Sequence, residues 1–293
     1  MNLKQLTYVL AVAETKNFTR AAAQCHVVQS ALSHQIAKLE EELGQPLFIR
    51  NQRQVSLTQA GLAIIEPAKA MLAAKQALID AVHASQDEVA GLLALGTIST
   101  LNSLDLVTVL SQFHAQHPKV SNRLHMGMSG QLLDDLRQQK ADIVFIGVPP
   151  GDQSMMPWPH QLLGTEELVA IMAPNHPLAQ KTTLSLASLS QQPLVDYPLG
   201  SSARRQTDQA FEKAGLKRQV HFEIDHIDWL TQAVANQLAL GMVPLSTAQT
   251  LTGLVYRPIL EAPQRQTYAV WQPNPSPAAQ RFLALLPRDN ATL

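Results

Sequence analysis

Sulfur chemistry is nearly absent from this chain of 293 residues, whose one cysteine is Cys25. A lone thiol closes no intramolecular disulfide and builds no multi-thiolate metal site. Long apolar runs are missing as well. No stretch approaches the roughly 20 consecutive apolar residues of a membrane-spanning helix, so no membrane contact is expected. Catalytic signatures are also lacking: there is no GxSxG, HExxH, paired-cysteine or phosphate-loop motif. The histidines are scattered, and His114 and His117 end a predicted helix before Pro118, where they read as solvated. Neither an enzyme nor a metal or other cofactor is expected. The opening MNLKQLTYVLAVAET has Lys4 and a short apolar run, but it ends at Ala13, short of the roughly 15–30 residues of a secretory leader. A cytoplasmic location follows as the expectation.

What is present is ample apolar material, 46%, in a length that suggests about two domains. The net charge of −1 is unevenly spread. Residues 1–58 carry Lys4, Lys16, Arg20, Lys38, Arg50 and Arg53 against Glu14, Glu40, Glu41 and Glu42, a net +2, which leaves −3 for the rest. A small basic head on an acidic body suits selective attraction to a polyanion.

Phe18 to Leu43, FTRAAAQCHVVQSALSHQIAKLEEEL, is the most informative segment. It reads as a short helix, a tight turn and a longer helix. Thr19 stands as the predicted N-cap of the short helix, and Cys25 as a small buried residue within it. In the longer helix Leu32, Ile36, Leu39 and Leu43 form one apolar stripe. Ser30, Ser33, His34 and Lys38 lie opposite, with Gln35 on the flank. Such side chains can meet base edges or phosphates, whereas Glu40 to Glu42 would be repelled, so only the N-terminal half suits a DNA groove. An amphipathic helix with a merely solvated polar face fits this helix taken alone equally well. The flanks decide. Leu6, Val9, Leu10 and Ala13 mark a preceding helix, and Gly44 and Pro46 stop the long one. Leu47 to Ile49 and Val55 to Leu57 then bracket Arg50 and Arg53 as a small basic hairpin. Three helices and a basic hairpin make a winged helix-turn-helix, the arginines reaching phosphate or the minor groove.

Leu3, Leu6, AVAE ending at Glu14, FTRAAA, Gln29, ALSHQI, LEEELGQPLF and LTQAG at Leu57 to Gly61 resemble the LysR-type transcriptional regulators. The resemblance implies that Gln29, Ser33, His34 and Arg53 face double-stranded DNA. Thr19, Arg20, Ser30, Gln35, Lys38 and Arg50 complete the candidate DNA-binding set. Two departures stand out: Val28 replaces the usual capping Ser or Thr, and Ser30 replaces a proline. Either the helix starts less firmly or Ser30 caps it one turn late. Some relatives sense oxidants through cysteines in the sensor half, a route closed here because residues beyond Cys25 include none.

Thr58 can cap a long helix to about Asp87, in which Ile64, Ala68, Met71, Leu78 and Val82 form a seam for a partner helix. Pro67 kinks it or removes one backbone bond, and a helix lying on its own domain is the alternative reading. From Gly91 strands and helices alternate, as in parallel sheets covered by helices. The expected fold is thus α/β: a winged helix-turn-helix at 1–58, a dimerisation linker helix at 59–88 and a regulatory domain at 89–293. The resemblance implies that this last domain is a two-subdomain Rossmann-like sensor, similar to type II periplasmic solute-binding proteins. Its halves would be about 92–162 plus 267–293 and about 163–266. Ser99, Thr100, Ser129, Ser201 and Ser202 follow strands and precede predicted helices, the first of which spans Leu104 to Gln116. At such starts, helix N–H groups gather at the strand ends. They are the candidate effector-binding residues, and Arg204 beside them favours an anionic effector. Asp225 and His226 either line the same cleft or only cap the Trp229 helix. The expected partners are a promoter with an imperfect inverted repeat, a small-molecule effector and further copies in a homodimer or homotetramer. A solute-binding protein is the alternative; it would leave the winged head unexplained.

Overall fold

The computed structural model describes residues 1–51, 54–84 and 89–287, and the chain divides into two compact units, Met1–Glu88 and Val89–Leu293. Unit one begins with α1 (Leu3–Thr15), α2 (Phe18–Gln24) and α3 (Gln29–Leu43). Asn2 caps α1 through a reciprocal pair with Gln5: each side chain accepts the other's backbone N–H, at 3.0 and 2.8 Å. Gln5 is buried, and its Nε2 donates to the Gln35 carbonyl at 3.3 Å, which ties α1 to α3.

The cap of α2 is Asn17 rather than Thr19: Asn17 is extended and its side chain accepts from Arg20 N at 2.9 Å. Thr19 lies inside the helix. Cys25 is the C-cap rather than an interior residue, and it is only half-buried. Burial nevertheless pushes its thiol pKa up. Val28 is the N-cap of α3 and makes no side-chain cap bond, while Ser30 sits within the helix, so no late cap forms. Leu32, Ile36 and Leu39 are fully buried, but Leu43 is exposed. The predicted stripe is one residue too long because the last turn overhangs the core before Gly44 ends the helix at φ +66°.

Strands β1 (Phe48–Asn51) and β2 (Gln54–Leu57) pair antiparallel. Glu40 holds this hairpin: its Oε1 accepts from Leu47 N at 2.7 Å and Phe48 N at 3.2 Å. The Phe18 and Phe48 rings meet edge-on at 5.7 Å. In α4 (Gln59–Ala84), Thr58 Oγ1 accepts from Gly61 N at 2.9 Å. The predicted seam splits. Ala68 is buried and Ile64 packs against the core of its own unit, whereas Met71 and Leu78 are exposed. The Val82 side chain lies outside the described residues, as does Asp87.

Unit two holds β3 (Gly91–Thr97), α5 (Leu106–Gln116), β4 (Val120–Met126), α6 (Ser129–Arg137), β5 (Ile143–Val148) and the long β6 (His160–Met172). A 3₁₀ turn, α7 (Leu186–Ser190), β7 (Pro193–Asp196), α8 (Ser202–Lys213), β8 (Gln219–Glu223), α9 (Ile227–Ala235) and β9 (Leu240–Pro244) follow. The unit ends with α10 (Leu245–Thr250), β10 (Val255–Pro258), β11 (Gln264–Trp271) and α11 (Pro277–Leu283). The sheet runs β4-β3-β5-β11-β6-β9-β7-β8, with β10 beside β6. The β4-β3-β5 and β9-β7-β8 groups are parallel, as alternation predicts. The crossing strands β6 and β11 run antiparallel to their neighbours. Strand β6 pairs with β11 as far as Glu167 and with β9 from Leu168, so it belongs to both halves. Each half has a core on both sheet faces: Leu95, Phe113 and Phe282 against Leu132, Leu136 and Ile146 in the first, Leu189, Leu194 and Phe211 against Leu230, Val234 and Val243 in the second.

Candidate functional site

In the first unit the residues that point away from the core gather at the start of α3. Gln29, Ser30, His34 and Lys38 are exposed, with Ser33 and Gln35 half-buried among them. Thr19 and Arg20 are exposed on α2. This is a small polar tip on a rigid helix, held by the buried Leu32, Ile36 and Leu39 behind it. Arg50 falls in β1 opposite Val55; its side chain, and all of Arg53, lie outside the described residues. Glu42 pairs with the N-terminal amine of Met1. Together with the role of Glu40, this gives two of the three carboxylates expected only to repel DNA a structural partner.

In the second unit a cavity of about 60 Å³ opens between the two halves, enough to admit water or a small ligand. Ser99, Thr100, Ser129, Ser201 and Ser202 all line it. Asp225 lines it too, whereas His226 serves as the N-cap of α9. Only Ser129 and the two adjacent serines sit at helix starts. Helix α5 begins at Leu106 under an Asp105 cap, so Ser99 and Thr100 occupy the turn before it. Asp105, as good a cap as serine, takes that role five residues beyond Thr100. Arg204 does not point at the cavity. Its guanidinium is held by Asp208 at 3.1 Å, Glu223 at 3.0 Å and the Tyr197 carbonyl at 3.3 Å.

The hydroxyls already have duties. Ser129 Oγ donates to the Gly147 carbonyl at 2.9 Å and accepts from Gly147 N at 3.1 Å. Ser201 accepts from Arg204 N as the cap of α8, and Ser202 accepts from Arg205 Nη2 at 3.1 Å. Thr100 accepts Arg265 through both its hydroxyl, at 2.6 Å, and its carbonyl, at 2.8 Å. Ser99 bonds Tyr197.

The cavity's cation is Arg265, which sequence reasoning missed. It is 5% exposed, and its Nη2 also meets Glu166 Oε1 at 2.7 Å. Burial pushes its pKa down, and Glu166 opposes that shift. The apolar alternation of QTYAVWQ, which begins at Gln266, stops one residue short of it. Extending the two-residue alternation back from Ala269 and Thr267 places Arg265 on their buried face, where an arginine needs partners. Tyr197 is pushed up to about 12 by burial, with Arg265 and the Ser99 hydrogen bond pulling the other way. Burial raises the Asp196 carboxyl, against the pull of Arg218 at 2.6 Å and Thr207.

Two buried donors in the lining have no partner: Gln206 Nε2 and Arg265 Nε. Helix α6 also opens there without a side-chain cap, since its N-cap is Met128. Both unpaired side-chain groups are N–H donors. Among the described residues, no cluster of three or more His, Cys, Asp or Glu side chains could hold a metal ion, and no helix is long and apolar enough to cross a membrane.

Residues 3–62 match the model of the bacterial regulatory helix-turn-helix protein, lysR family, and residues 86–291 that of the LysR substrate binding domain. The chain is 30% identical over 286 residues to the DNA-binding transcriptional dual regulator OxyR of Escherichia coli K12, covering 96% of this chain and 92% of that protein. The hydrogen peroxide-inducible genes activator of Dickeya chrysanthemi is likewise 30% identical over 286 residues, with the same coverage of 96% and 92%. Among solved structures, a full-length OxyR variant from Pseudomonas aeruginosa superposes with a TM-score of 0.73 at 25% identity, over 98% of this chain and 93% of that one.

Proposed function

Because the chain belongs to the LysR family of DNA-binding transcriptional regulators, we propose that its promoter affinity is set by a small acceptor-rich effector, a carboxylate or similar anion, bound in the 89–293 cavity. The observation that carries this reading is the set of unmet donors there: Gln206 Nε2, Arg265 Nε and the uncapped start of α6. Buried donors without partners cost free energy that a ligand with lone pairs recovers. A helix start adds a positive dipole end. Ser99, Thr100, Ser201 and Ser202 orient the ligand, and Arg204 braces α8 from behind.

DNA is held by the start of α3 through Gln29, Ser30, Ser33, His34, Gln35 and Lys38, helped by Thr19 and Arg20, with Arg50 and Arg53 of the hairpin on phosphate. The site is an imperfect inverted repeat read by a homodimer or homotetramer, joined through Met71 and Leu78 of α4. Thiol sensing of peroxide is not open to the sensor, because residues 89–293 contain no cysteine.

Calorimetry of the full chain against small carboxylates tests the effector reading. A ligand that binds wild type should bind Gln206→Leu at least about tenfold more weakly, the 1.4 kcal/mol of one hydrogen bond. Equal affinity for both proteins removes the cavity from the account.

A further inference from the structure

The turn into α3 carries two adjacent valines with opposite fates. Val27 packs against the core of its unit. Val28 does not; it stands 68% exposed at the N-cap, extended at φ −74° and ψ 143°. No hydrogen bond explains its place, since valine offers the helix no cap. Its neighbours on the exposed tip, Gln29, Ser30 and His34, are polar. The first residues of a recognition helix are those that reach base edges, and Val28 immediately precedes them.

We infer that Val28 is a base-reading residue that takes the 5-methyl group of a thymine in each half-site. The inference rests on the start of α3 entering the major groove. A pair of methyl groups can satisfy no donor or acceptor there, and the apolar feature of that groove is the thymine methyl. Gln29 next to it has the side chain that pairs bidentately with adenine, so the two residues together read a thymine beside an adenine. A capping Ser or Thr at this position would strengthen the helix start. Valine gives up the cap and gains methyl recognition.

The test uses the full chain and a duplex that it enriches from a random library, with thymines replaced by deoxyuridine one position per half-site at a time. Replacing the contacted thymine in one half-site should weaken wild-type binding about fourfold, the equivalent of about 0.8 kcal/mol for one buried methylene. Replacing both should weaken it about fifteenfold. Val28→Ser, which restores a cap and so keeps the fold, should bind thymine and deoxyuridine duplexes equally, with an unchanged salt slope. Val28→Thr, which retains a methyl, should still discriminate. An enriched site insensitive to deoxyuridine, or sensitivity that survives in Val28→Ser, overturns the inference alone. If no sequence is enriched, the DNA reading of α3 fails and this inference fails with it.

Discussion

The α3 tip and the cavity of the second unit are built by opposite means. At the tip, Gln29, Ser30, His34 and Lys38 stand in solvent on a helix that buries Leu32, Ile36 and Leu39 on its other face. In the cavity, the hydroxyls are bonded to the scaffold and the one cation is sunk among Thr100 and Glu166. The first arrangement separates recognition from stability, because removing an exposed side chain leaves nothing buried and unpaired. The second fuses them, because Ser129, Ser201 and Arg265 each also hold a strand, a helix start or a turn in place. A regulator gains from both. The tip can change by substitution without unfolding, whereas bonds across the cavity, Arg265 to Thr100 and Ser99 to Tyr197, hold the two halves of the second unit together. Asn102 of the first half donates to Thr247 of the second at 2.9 Å, and Arg205 of α8 reaches Asp152 at 2.8 Å.

The largest effect should come from the cavity. Arg265→Met removes the bonds to Thr100 and the ion pair to Glu166, whose carboxylate keeps only Ser246 as a partner, and breaking such a largely buried pair costs about 3–5 kcal/mol. Urea unfolding of the second unit should show it, and a loss like that of a surface substitution would mean that the arginine is not structural. The helix tip should behave otherwise. Gln29→Ala, Ser33→Ala or His34→Ala should each relax base preference by about 1–3 kcal/mol at one position. For the exposed Gln29 and His34, stability should move by no more than about 0.5 kcal/mol. Gel-shift on specific and random duplexes distinguishes this from a uniform loss, which would make these residues phosphate contacts. The linker comes third. Met71→Lys or Leu78→Lys should weaken self-association by about tenfold, 1.4 kcal/mol; sedimentation that finds the variants as associated as wild type would place the contact elsewhere.

The smallest effect is a pH dependence. Tyr197 ionises at about 12 in the folded chain, above its ordinary 10.0. Between those values the unfolded chain has lost the proton and the native one has not, so stability linked to this phenol is full below pH 10 and falls as pH rises toward 12. A Tyr197→Phe protein should lose less stability than wild type over that window in chemical denaturation; identical losses would mean that the phenol is solvated.

The same contrast governs what the residues alone revealed. Helix α3 was legible because a stripe of Leu32, Ile36 and Leu39 opposite short polar side chains is a local pattern, and the hairpin was legible from two short apolar runs. The α2 cap moved to Asn17 because two good caps stood two residues apart, and only the backbone chose. In the second unit the strands and most helices followed from alternation, whereas α7, α10 and β10 are too short to leave a periodic trace. The serines were brought to the cavity for a reason only partly foreseen: Ser129 and Ser201 do start helices, but Ser99 and Thr100 arrive through a turn. Arg204 drew attention by its neighbours in sequence, while Arg265 is defined by Glu166 and Thr100, far away in the chain. Long-range pairing of buried charge leaves no local signature. Asp196 with Arg218 and Gln206 with its unmet amide stayed hidden for the same reason.

The most direct test of the account is the affinity of the full chain for an enriched duplex, measured by fluorescence anisotropy with and without a small carboxylate that raises its thermal stability. The account predicts a change of about 5–150-fold, a coupling of about 1–3 kcal/mol, that disappears in Gln206→Leu. A stabilising carboxylate that leaves duplex affinity unchanged, or shifts it equally in the variant, would contradict it.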